Sequence, residues 1–394
     1  MRLSSRRYFA VVLLLLFFGG TNITALQKPL SAHQNNTQTD KIKIQHILQS
    51  LQLHYAPDLQ LAVFDISWRP VETGSVVRGE VDDPAAKRAV IHALRNVVKD
   101  GLIDSIRVLP GSAFGSNTSG IVIPSVVNLY RTPGTRNELL TQALMGTVVK
   151  LLKKERGHIF VQTPDHYLGW LDSTSLFVTN QNGVNAWNAA SQVIATKFTG
   201  AVYEGSDTSS AIVCEIIEGC ILKNIGKRDG WTEVECADGR KGFVPDTILQ
   251  DIDEWIKSRV PTGENLEKTA RSFLGIRYLW GGVSVKGMDC SGFVKTVYHL
   301  NGVELNRDAR QQAQQGKSID PGQKFQNLKK GDLLFFGRKA SAKRQERITH
   351  VALYLEKGLY IHSSKRVRFS SFDPSSDYYE ASLLKRFLAA RRIL

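Results

Sequence analysis

A chain of 394 residues is longer than a single hydrophobic core ordinarily grows, so two to four domains are expected. With 42% hydrophobic and 22% charged residues, the composition excludes a disordered or fibrous protein. The net charge of +14 favours anionic partners without choosing among them.

The N-terminus carries Arg2, Arg6 and Arg7, an apolar run from Tyr8 to Phe18, and a small-residue site at Ile23-Thr24-Ala25. That run is shorter than the ~20 residues a bilayer requires, and no Cys follows it to accept a lipid. Residues 1–25 therefore read as a secretory signal peptide, and the protein as exported to a periplasm or beyond the cell, with no membrane span. Residues 26–40 are polar and unpatterned, as in a flexible leader. Residues 41–110 alternate helical spacing (Ile44, Ile47, Leu48, Leu51) with strands at Leu59–Ile66, Ser75–Val81 and Ser105–Leu109 and a helix from Asp83. They form a small α+β module with no evident chemistry.

An internal repeat follows. Gly146, Gly157, Val161, Asp165 and Gly169 return as Gly219, Gly230, Val234, Asp238 and Gly242, each displaced by 73 residues. Both copies alternate short β-branched strands with Gly and Pro turns, as small all-β barrels do. They resemble bacterial SH3-like domains over residues 119–178 and 194–250, with a connector at Asn182–Gln192. Beyond a short amphipathic linker, residues 262–394 change character. A helix (Leu266, Ala270, Phe273, Leu274) and a Gly-rich turn lead to a second helix opening at Cys290. Strands are expected at Asp332–Phe336, Thr349–Leu355, Leu359–Ser363, Val367–Ser371 and Phe387–Arg392. This is an α+β order that puts His350 and His362 on adjacent strands.

Cys214, Cys220 and Cys236 cluster, and one disulfide among them is open; no Cys-x-x-Cys or His-x-x-x-His pairing accompanies them, so neither a metal nor a cofactor is expected. Cys290 stands apart, in Asp289-Cys290-Ser291-Gly292. A thiol attacks a carbonyl as thiolate, and a helix N-terminus lowers its pKa. Ser291 and Gly292 leave room for a substrate backbone, and local N–H groups can bind an oxyanion. His350 interrupts the apolar alternation of its strand and is the candidate base; His362 is placed to orient it.

Residues 262–394 resemble the NlpC-type family of papain-like cell-wall cysteine peptidases. The resemblance rests on Tyr278-Leu279-Trp280-Gly281-Gly282, Asp289-Cys290-Ser291-Gly292-Phe293, Gly331-Asp332, Thr349-His350-Val351-Ala352 and Ile361-His362-Ser363-Ser364, all in the family's order. It implies Cys290 as nucleophile, His350 as base, His362 as third catalytic residue, and Tyr278 beside the thiol. Paired SH3-like domains ahead of the catalytic domain are similar to the γ-D-glutamyl-L-diamino acid endopeptidase subgroup, which cleaves after L-Ala-γ-D-Glu. In that subgroup an acidic residue and a tyrosine of the first barrel meet the free L-Ala amine, and Glu138 and Tyr167 match them. The second barrel has Ala211 and Arg240 at the same offset. Ser291 and the backbone around Asp289 are expected to hold the D-Glu carboxylate, with Trp280, Arg307 and Asp308 lining the cleft. Ala309 stands where the subgroup often has Ser.

The expected architecture is therefore multidomain: an α+β N-terminal module, two all-β SH3-like barrels and a C-terminal α+β papain-like catalytic domain. The expected partners are peptidoglycan stem peptides or muropeptide fragments, not nucleic acid, met by a monomer. Alternatives are a general wall endopeptidase, an amidase or acyltransferase on the same scaffold, and a non-catalytic wall-binding protein.

Overall fold

The computed structural model describes residues 32–98 and 101–394. The segment read as a signal peptide, residues 1–25, lies outside the described residues. Among the described residues no helix is long and apolar enough to cross a membrane.

The N-terminal module begins with the helix Ala32–Tyr55, so the stretch 26–40 read as a leader is helical from Ala32 onward. Strands Phe64–Val71 and Gly74–Val81 form an antiparallel hairpin, and Leu102–Val108 adds in parallel after the crossover helix Pro84–Arg95. Asp83 caps that helix by accepting the Ala85 N–H, and Pro84 supplies a helix-compatible first residue. Its Ala86, Val90 and Leu94, spaced four apart, are all buried against Ile44, Val77, Val81 and Ile106. The strand expected at Leu59–Ile66 starts only at Phe64. Residues 58–62 are a turn instead, in which the Asp58 carboxylate and carbonyl accept the N–H groups of Gln60 and Leu61, each at 3.0 Å.

Each half of the repeat folds into a seven-stranded antiparallel sheet, over Ser119–Thr179 and Gln192–Asp251. With strands counted one to seven within each copy, both sheets run in the order 7-1-4-5-6-2-3. The hairpin between the fourth and fifth strands turns on Arg156-Gly157 in one copy and Asp229-Gly230 in the other, all four with positive φ. Left-handed backbone at both turn residues matches the strand twist and explains the recurring glycine. The connector between the copies is ordered as a helix, Gln181–Ala189, capped by Asn180 and burying Val184 and Trp187. In the second copy the sulfurs of Cys214 and Cys236 lie 3.9 Å apart, and no two of the cysteines are bonded.

The C-terminal domain packs the helices Gly263–Ser272 and Cys290–His299 against an antiparallel six-stranded sheet. Phe293, Val294, Val297 and Tyr298 of the second helix bury against Phe335, Val351, Leu353 and Ile361. Arg347–Tyr354 and Leu359–Ser364 are neighbouring strands, as the placement of the two histidines requires. Helices Ala309–Gln312 and Ala381–Arg386 and strand Lys317–Ile319 were beyond the reach of periodicity, being six residues or fewer. The first barrel docks on this domain. Gln142 Oε1 accepts from the Val283 N–H and the Ser284 hydroxyl at 3.1 and 2.9 Å, and Asp165 pairs with Lys295 at 3.1 Å.

Candidate active site

Cys290 is the first residue of its helix. Its N-cap, Asp289, accepts the Gly292 N–H at 2.7 Å. Gly292 is required by packing, because a Cβ there would sit 2.0 Å from the Gly282 carbonyl oxygen. Asp289 also accepts from the Gly281 N–H at 2.9 Å and from Arg307 at 2.6 and 3.1 Å. Arg307 itself is 2% exposed and donates further to Ser291 and to Thr141 of the first barrel. Arg307 and Asp289 are thus saturated by one another and by the domain interface; they brace the helix start.

The backbone N–H groups of Val351 and Ser291 point at the Cys290 sulfur, which sets the His350 strand against the thiol. The helix start was expected to lower this thiol's pKa. Burial, followed by the negative charge of Asp289, instead pushes it up to about 12 in the empty cleft. Burial, with the nearby Arg386 cation, pushes His350 down to about 4. Both groups are therefore neutral at pH 7.

His350 Nε2 lies 2.7 Å from His362 Nδ1, and His362 Nε2 lies 3.0 Å from the Ser370 hydroxyl. Burial first, then His350 and the Arg368 cation, hold His362 well below its ordinary pKa, so its ring is also neutral. The protons of this chain can be assigned. Arg368 donates to Ser370 Oγ at 2.8 Å and to Glu380 at 2.7 Å; Ser370 in turn donates its one proton to Glu380 at 3.0 Å. With that proton spent, Ser370 Oγ accepts from His362 Nε2–H. His362 Nδ1 is then bare and accepts from His350 Nε2–H. The remaining nitrogen of His350, Nδ1, is left as an acceptor.

Of the twelve residues singled out from the sequence, ten line one cleft of about 920 Å³: Tyr278, Trp280, Asp289, Cys290, Ser291, Arg307, Asp308, Ala309, and, from the first barrel, Glu138 and Tyr167. His350 and His362 lie behind it. Burial and the neighbouring Cys290 keep the Tyr278 phenol protonated. Trp280 is 60% exposed, a free aromatic face at the rim. Tyr167 donates to Asp308 at 2.9 Å, a pairing not anticipated from sequence. Glu138 is not a free carboxylate: Arg131 binds it at 2.6 Å, and the Arg131 and Trp280 hydrogen bonds hold its pKa low. Ala309 opens the short helix capped by Asp308, and no hydroxyl stands there. Sequence reasoning missed Arg131, Arg310 and Gln60, which also line the cleft. None sits in a motif, and Gln60 comes from the N-terminal module.

Residues 275–392 match the NlpC/P60 family, and residues 129–176 match the bacterial dipeptidyl-peptidase Sh3 domain. A dipeptidyl-peptidase 6 of Lysinibacillus sphaericus is 32% identical over 275 residues, covering 67% of this chain and 96% of that protein. The chain belongs to the NlpC/P60 family. It is a cysteine peptidase of that family carrying SH3-like domains. A γ-D-glutamyl-L-lysine dipeptidyl-peptidase of Bacillus subtilis is 30% identical, covering 59% of this chain and 74% of the relative. Among solved structures, an NlpC/P60 family protein from Bacillus cereus superposes with a TM-score of 0.58 at 23% identity, over 70% of this chain and 99% of that one.

Proposed function

We propose that the protein hydrolyses the γ-D-glutamyl-L-diamino acid bond of peptidoglycan stem peptides whose N-terminal L-Ala is free. The observation that carries this reading is the position of the Tyr167–Asp308 and Glu138 group at the barrel end of the cleft that holds Cys290. An ammonium there finds carboxylates and a phenol oxygen, and charge-assisted hydrogen bonds are worth about 1.5–3 kcal/mol. The names of the relatives, dipeptidyl-peptidase 6 and γ-D-glutamyl-L-lysine dipeptidyl-peptidase, support the same reading. Export to a periplasm or beyond, where such peptides arise, belongs to this proposal, as does a monomeric state.

In this mechanism Cys290 attacks the γ-carbonyl of D-Glu while His350 Nδ1 takes the thiol proton. The neutral pair becomes thiolate and imidazolium only as the bond forms. The Cys290 N–H, at the helix start, and the Tyr278 hydroxyl stabilise the oxyanion. Collapse breaks the C–N bond, His350 returns its proton to the leaving amine, and a thioester remains. Water, deprotonated by His350, then releases the dipeptide and restores the thiol. His362 orients His350.

The test is mass spectrometry of products from L-Ala-γ-D-Glu-diaminopimelate, its N-acetylated form and intact wall. The free tripeptide should yield the dipeptide and the acetylated one should resist. Equal digestion of intact wall would make the protein a general wall endopeptidase.

A further inference from the structure

The N-terminal module, which neither family match reaches, contributes to the catalytic cleft. Its turn over residues 58–62 is held from two sides. The Gln60 carbonyl accepts the Leu168 N–H of the first barrel at 2.8 Å, and the Leu61 carbonyl accepts the Gln162 amide at 2.8 Å. Beneath it, Val63 and Leu109 pack against Leu152, Phe160 and Leu168. On the catalytic side, Asp58 accepts from Arg310 at 2.8 Å and from the Gln311 amide at 2.7 Å. Burial opposes ionisation of Asp58, and the Arg310 and Gln311 hydrogen bonds outweigh it, so the carboxylate is charged.

This contact alters the charge available to a ligand. Four arginines (131, 307, 310 and 347) and four carboxylates (Glu138, Asp289, Asp308 and Glu346) line the cleft, which alone is neutral. Arg310 also reaches Asp308, at the longer distance of 3.2 Å. By drawing Arg310 toward itself, Asp58 adds a negative charge and leaves Asp308, the partner of Tyr167, less neutralised. Gln60 lines the same cleft as Tyr167 and Arg310, and its carbonyl accepts the N–H of Leu168, the residue after Tyr167.

Resting on the function proposed above, we infer that the turn Asp58–Leu61 is a specificity element of the peptidase. Asp58 tunes the Asp308 carboxylate for the substrate's ammonium, and Gln60 closes the cleft to anything attached to that nitrogen. The N-terminal module thereby confines the enzyme to short, free-amine peptides.

The experiment compares kcat and KM of the full chain, as wild type, Asp58→Asn and Gln60→Gly, on the free tripeptide and its N-acetylated form. Asp58→Asn should raise KM for the free tripeptide about threefold to tenfold with a smaller change in kcat, since the residue acts through Arg310 and Asp308. Gln60→Gly, which keeps the carbonyl that anchors the turn, should raise the acetylated-to-free ratio of kcat/KM at least about fivefold. Thermal melts identify a variant that fails to fold, in which case the other decides. If the wild type discriminates and the folded variants keep its ratio and its KM within twofold, the turn is a brace and the inference is overturned while the proposed function stands. If the wild type does not discriminate, both fall.

Discussion

Ser370→Ala tests the proton assignment through the histidines. Ser370 is fully buried, hydrogen-bonded behind His362 and absent from the cleft lining. Its oxygen accepts from His362 Nε2–H and from Arg368. Removing it takes away the acceptor that favours this tautomer, and a hydrogen bond of this kind contributes about 0.5–1.5 kcal/mol net. At 1.36 kcal/mol per tenfold, the equilibrium constant favouring a bare His350 Nδ1 should fall by a factor of about 2 to 13, and kcat by up to that factor. KM should move less than kcat. Nitrogen-15 NMR of the imidazoles should show His362 as the Nε2–H tautomer in the wild type and a mixture in the variant. An unchanged kcat together with an unchanged tautomer would refute the argument, as would a wild-type His362 protonated on Nδ1.

Cys290→Ala should abolish hydrolysis with little loss of stability; His350→Ala should be nearly as severe and His362→Ala less so, as single-turnover assays would show. With His350 pushed down to about 4, its ring is neutral above that pH and takes a solvent proton below it, so kcat/KM should fall as pH drops through about 4 to 5. An acid limb near 6.5 would contradict this. On the free tripeptide a second limb should appear near the ordinary α-amino pKa of about 8, and it should be missing with the acetylated substrate. Because His350 and His362 bind protons less readily folded than unfolded, stability should decline as pH falls from about 6.5 toward 4, as denaturation at stepped pH would show. Arg307→Ala strands the buried Asp289 carboxylate and should cost about 3–5 kcal/mol, read as a lower Tm by calorimetry.

The catalytic domain was legible because its signals are local. The helix start at Cys290, the polar His350 in an apolar strand and the Gly-rich turn each lie within a few residues. The repeat was legible too, since the same strand order and the same left-handed turn at Arg156-Gly157 and Asp229-Gly230 demand the same residue pattern. What escaped depends on contacts between distant segments. Asp58 meets Arg310 across 252 positions, and Tyr167 meets Asp308 across 141. The thiol's high pKa escaped for a related reason. Helix-start logic supplies the favourable dipole and the adjacent Asp289 is visible in the sequence, but the burial that outweighs the dipole, the largest cause of the rise, comes from the folded surroundings.

The ion pairs also redistribute the work expected of Glu138. Read from its motif, Glu138 is the counter-ion for the substrate's ammonium, but its carboxylate already binds Arg131 and its side chain is 40% exposed. Solvent screens a charge in that position, so its loss should weaken binding less than a buried pair would. Asp308 is less exposed, at 27% for its side chain, and Tyr167 orients one of its oxygens. On the proposed function, the ammonium's main anchor is therefore expected on the Asp308 side of the cleft. Glu138→Ala should raise KM for the free tripeptide about twofold to fivefold. Asp308→Asn, which keeps the shape and the Tyr167 contact, should raise it more. Steady-state kinetics on the two variants decide the order; a larger effect at Glu138 would return the role to the residue that the motif first marked.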